Sequence, residues 1–112
     1  MRNIRYDFQV ESQLEDSIRQ LVERQYFSEE DYAIEYMRNV INYFQLNLNN
    51  NISYEAPSYF NRYGYGQPLY YSLYRKSTRT SWYAFYEKTD SHLNIVYLGT
   101  NHLIGHYLDI HF

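Results

Sequence analysis

Ser81-Trp82-Tyr83-Ala84-Phe85-Tyr86-Glu87 is the stretch whose reading decides the fold. Aromatic side chains crowd it and no glycine or proline interrupts it, so it reads as a strand, the strongest in the chain. The same character recurs on both sides. Leu69-Tyr70-Tyr71-Ser72-Leu73-Tyr74 precedes it, and a third strand follows over 93–98. Between them lie two polar turns, Arg75-Lys76-Ser77-Thr78-Arg79-Thr80 and Lys88-Thr89-Asp90-Ser91-His92, of a length that hairpins use. Sixteen of the 112 residues are tyrosine. Its large ring and polar tip suit half-buried sheet faces and binding surfaces alike.

Upstream, Ile4, Tyr6, Phe8 and Val10 alternate with Arg5, Asp7 and Gln9, a period of two that predicts a strand over 3–10. Ser12-Gln13-Leu14-Glu15 then has the form of a capping box, followed by the helical stripe Leu14, Ile18, Leu21 and Val22. Ser28-Glu29-Glu30-Asp31 starts a second helix, with acids where the helix dipole favours them. Ala33, Tyr36, Met37, Val40, Ile41 and Phe44 form its apolar stripe, and Asn49-Asn50-Asn51 ends it. The short join predicts an antiparallel helical hairpin. Residues 52–68, with Pro57, Gly64, Gly66 and Pro68, read as a long connection holding a short helical turn near 57–63. Gly99-Thr100-Asn101-His102 reads as a turn, and 103–112 as a short helix or an edge strand. The order is strand, helix, helix, three strands. The expected architecture is α+β: one domain over 1–112, with a central antiparallel sheet covered on one side by the helical hairpin.

Composition narrows the chemistry. The chain has no cysteine, which excludes disulfides, thiolate metal sites and cysteine nucleophiles and is compatible with a reducing cytoplasm. No stretch has the form of a targeting segment or a membrane helix. The net charge is −3, unevenly spread: residues 1–60 carry ten acids and five arginines, whereas 61–112 carry three acids and five basic side chains. Either the two halves meet different partners or both are ordinary solvated faces.

Phosphate-cradling glycine loops and helical metal-binding histidine pairs are missing. His102 and His106 are four apart, but Gly105 between them disfavours a helix and no carboxylate lies in their segment, so hydrogen-bonded or exposed histidines are the simpler reading. Arg75-Lys76-Ser77-Thr78-Arg79 sets three cations and two hydroxyls together, a plausible grip on phosphate. Tyr70, Tyr71, Tyr74, Trp82 and Tyr83 flank it and would stack single-stranded bases if exposed. The alternative is a solvated hairpin tip over core aromatics. The turn with His102, and His106-Tyr107 beyond it, could supply acid–base groups. RNA cleavage by a 2′-hydroxyl needs a cation at the phosphate, a proton acceptor and a proton donor.

The element order, running from Ile4 to Tyr107, resembles the RelE/ParE superfamily of bacterial toxins. The more particular match is Thr80-Ser81-Trp82-Tyr83-Ala84-Phe85-Tyr86-Glu87-Lys88, then Val96-Tyr97-Leu98, then Asn101-His102. These segments resemble a group of small proteins with a T-x-W-Y-x-F-[FY] strand and an [ST]-N-[NH] turn. The resemblance implies a cytoplasmic toxin neutralised by a cognate antitoxin and free of any membrane. It further implies either mRNA cleavage on the ribosome without metal or cofactor, or a non-enzymatic role such as gyrase inhibition. By position it assigns phosphate and RNA contacts to Arg75, Lys76, Arg79 and Arg62, and catalysis to Arg79 with His102 or Tyr107.

Overall fold

A computed structural model describes residues 1–23 and 30–104, the side chains of 30–32 excepted. Strand β1 (Asn3–Tyr6) leads into helix α1 (Val10–Glu23), and helix α2 (Glu30–Asn47) follows. A two-residue strand β2 (Tyr54–Glu55), a 3-10 helix (Ser58–Tyr63) and three long strands complete the order: β3 (Leu69–Arg75), β4 (Ser81–Lys88) and β5 (His92–Thr100). The sheet runs β1-β5-β4-β3-β2. No described helix is long and apolar enough to cross a membrane.

The sheet is mixed, which corrects the expectation of an antiparallel one. Hairpins make β3–β4 and β4–β5 antiparallel, and β2 joins β3 in the same sense. β1 instead lies parallel to β5, with Ile4 opposite Leu93 and Tyr6 opposite Ile95. No hairpin joins these two strands, so local turn geometry does not fix their direction. The path of α1 fixes it. α1 continues along β5 where β1 stops: the Gln13 amide accepts from Leu98 N–H (3.0 Å) and donates to the Val96 carbonyl (3.2 Å). One side chain thus stands in for the missing strand.

β1 is also shorter than the alternation suggests. Asp7 N–H closes the ladder on the Ile95 carbonyl, and Val10 N–H then bonds Asp7 O as the helix begins. Val10 joins Leu14, Ile18 and Leu21 as a buried stripe, while Phe8 is 86% exposed. The helical stripe outweighs the period-two pattern because it buries Val10 through one extra turn. Ser12 is therefore no cap: it lies inside α1 and its hydroxyl donates to Gln9 O.

Helices cover one face of the sheet. Val10, Leu14, Ile18 and Leu21 of α1, with Val40 and Phe44 of α2, pack on Trp82, Ala84, Tyr86, Leu93, Ile95 and Leu98. The other face is covered as well, contrary to the one-sided arrangement expected. Phe60 of the 3-10 helix stacks on Phe85 (3.9 Å between centroids) within a second cluster that includes Leu69, Tyr71, Val96, Tyr97 and Ile104. A register shift between Phe85 and Tyr86 leaves Val96 as an extra residue, so that Val96 and Tyr97, adjacent in sequence, both serve this second face and Leu98 returns to the first.

Candidate functional site: the β3–β4 hairpin end

The hairpin at residues 76–80 is built by its own polar groups. Lys76 and Ser77 N–H both donate to Thr80 O (3.0 and 3.1 Å). The Ser77 hydroxyl accepts from Arg79 N–H (3.3 Å) and Thr80 N–H (3.1 Å), so a serine side chain helps close the turn.

The residues after β5 then strap this hairpin. Residues 101–104 are helical, not the turn expected there, and β5 extends through Gly99 and Thr100. Asn101 Oδ1 accepts from Ser81 N–H (2.9 Å) and its Nδ2 donates to Arg79 O (3.3 Å). His102 Nε2 lies 3.2 Å from the Thr80 hydroxyl, which is buried. The two segments of the motif, Thr80-Ser81 and Asn101-His102, therefore touch side chain to side chain and side chain to backbone. An imidazole thus sits against a hydroxyl beside an exposed arginine.

The four cations assigned to phosphate do not converge. Arg79 stays at the turn beside Asn101 and His102. Arg75 is exposed opposite Ser81, one strand position from the turn, on the face away from the helices. Lys76 reaches the helix side, its Nζ 5.1 Å from the centre of the Tyr36 ring. There it lines a small cleft of about 80 Å³ with Glu35, Tyr36 and Asn39. Arg62 packs on its own 3-10 helix, Cζ 3.9 Å over the Tyr59 ring and Nε donating to Tyr59 O. Tyr107 lies outside the described residues.

The flanking aromatics also divide. Trp82 is fully buried, and its indole N–H donates to Tyr36 OH (3.1 Å). Tyr74 stacks on Tyr43 and Tyr70 lies against the helix-side core. Tyr70 and Tyr74 remain half-buried on that side, and the second face also offers partly open rings near the hairpin. Tyr54 and Leu73 are exposed there and Tyr83 half-buried, around a buried Tyr71. Burial, with the neighbouring Tyr83 and Tyr54 hydroxyls, holds the Tyr71 hydroxyl above its ordinary pKa. At the far end of the sheet, Tyr65 donates to both Asp7 oxygens (2.9 Å each). That bond, reinforced by the charge of Asp7, raises the Tyr65 pKa.

Asn101 is the residue whose role the sequence least betrays, since an asparagine after a strand reads as turn chemistry. Its place in the motif beside His102 was the one available signal. No protein-family model matches the chain, and no curated protein or solved structure is significantly similar to it.

Proposed function

We propose that this protein is a RelE/ParE-like toxin that cleaves mRNA on the ribosome, with the β3–β4 hairpin end as the surface that meets the scissile phosphate. The observation that supports this reading is the 3.2 Å approach of His102 Nε2 to Thr80, beside the Arg79 that the hairpin exposes. Cleavage by an internal 2′-hydroxyl requires a base to take the hydroxyl proton while a cation offsets charge building on the phosphate. In this reading His102 takes the proton and Arg79 holds the phosphate. Arg75 supplies a second cation from the outer face of β3, and Tyr107 returns a proton to the leaving 5′-oxygen. Lys76 and Arg62, spent on Tyr36 and Tyr59, take no part. A cognate antitoxin restrains the protein in the cytoplasm.

Induced expression in bacteria tests this. Wild type is expected to arrest growth, and Arg79→Ala or His102→Ala to relieve the arrest at equal protein level. Harmless wild type at good expression overturns the reading.

A second reading is a non-enzymatic interaction protein on the same fold, either a gyrase inhibitor or a binding module. It is favoured by the diversion of Lys76 and Arg62 away from the hairpin in a chain of net charge −3, since polyanion binding rests on cation density. It expects arrest without mRNA cuts, or no arrest.

A further inference from the structure

The outer edge of β1 carries a second feature, remote from the hairpin. β1 ends the sheet, so one row of its backbone groups faces away from β5. Asn3 and Asp7 N–H donate toward β5, to Ser91 O and Ile95 O. Strand alternation therefore turns the N–H and C=O of Arg2 and Ile4 outward. At Arg2 that edge is already used. Arg2 N–H donates to Asn49 Oδ1 (3.1 Å) and Asn49 Nδ2 donates to Arg2 O (2.8 Å), the two-way exchange a paired strand would make. The next outward residue, Ile4, opens into a groove of about 450 Å³ between β1 and the C-terminal part of α2. Arg2, Arg5, Gln45 and Asn49 line it, and no acid stands among its described lining residues. Arg2 and Arg5 are exposed and neither forms an ion pair with a described acid, although Arg2 Nε donates to Thr89 O (2.7 Å).

From this juxtaposition we infer that the β1 edge and its groove bind an extended, acidic peptide segment of another protein, which adds a strand to the sheet at Ile4. Backbone pairing supplies the attachment, and Arg5 on one face of the edge with Arg2 on the other makes it cationic, which favours an acidic strand over a basic one. Arginines on an open edge discourage indiscriminate strand pairing, and an acidic strand turns that same charge into attraction. Asn49 sets the register, because it occupies the edge position before Ile4 and blocks extension past it. The inference stands apart from the RNA reading, since β1 and α2 line the groove and the hairpin does not.

The test titrates two fluorescein-labelled peptides, Glu-Val-Glu-Val-Glu-Val and Lys-Val-Lys-Val-Lys-Val, against the full chain at low salt. The acidic peptide is expected to bind about tenfold more tightly and to slow amide exchange at Ile4. N-methylation of its edge-facing amides should abolish binding, which pure charge attraction would survive. The double variant Arg2→Glu/Arg5→Glu should invert the preference. Arg5→Gln, neutral at an exposed position, reads the same preference should the double variant fail to fold. Equal binding of both peptides, an unchanged preference in the variants, or protection mapped away from β1 would overturn the inference. So would Ile4 protection by self-association without peptide.

Discussion

Gly99 shows how tightly the second face is packed at the scale of one residue. A Cβ there would meet Tyr97 Cε1 at 2.8 Å, and Tyr97 is itself held by Tyr63, Phe60 and Phe85. Gly99→Ala should therefore cost about 1–3 kcal/mol, the usual range for overpacking. Urea unfolding followed by the fluorescence of Trp82, the single tryptophan, checks this. A change within a few tenths would mean the ring moves freely. Tyr6 gives a second test. Its hydroxyl donates to Ile41 O (3.0 Å), and burial raises its pKa from 10.0 to about 12. The folded state keeps a proton that the unfolded chain has already lost. The stabilisation from Tyr6 is therefore complete below pH 10 and disappears as pH climbs from 10 to about 12. Tyr6→Phe should lose about 1 kcal/mol at neutral pH and show a shallower decline of stability in that alkaline window. Parallel pH–stability curves for the two proteins would contradict this.

At the scale of elements, Gln13 joins α1 to β5 where β1 has ended. Gln13→Ala leaves Leu98 N–H and Val96 O without those partners beneath the helix, and should cost about 1–3 kcal/mol in the same unfolding experiment. An exposed α1–β5 seam would tolerate the change. The three long strands and most of both helix stripes were legible beforehand, because period and composition are local properties of the chain, but Val22, read into the α1 stripe, is 41% exposed. The turn near 57–63 was legible too, from Pro57. What was not legible depends on contacts distant in sequence. The direction of β1 follows from where α1 lies on β5, and Ser12 lost its capping role because Val10 found a buried place one turn earlier. The second layer was hidden in a connection whose glycines and prolines read as loop, although Phe60 within it is a core residue. At the candidate site the basic tip and His102 were visible as residue types. The diversion of Lys76 to Tyr36 was not, since it is decided by a ring on α2.

The whole molecule is a mixed five-stranded sheet with helices on one face and an aromatic layer on the other. Two surfaces emerge from it: the strapped hairpin end, with Arg79, Thr80, Asn101 and His102, and the open β1 edge, with Arg2 and Arg5. They draw on different strands, so changes at one should leave the other intact. Arg5→Glu is expected to leave growth arrest unchanged while altering peptide preference. The enzymatic reading depends on what the hairpin end does to RNA, and primer extension on cellular mRNA after induction measures that directly. The expected result is discrete new 5′ ends with wild type and none with His102→Ala at matched expression. Growth arrest with intact messages, or identical ends from the variant, would contradict it.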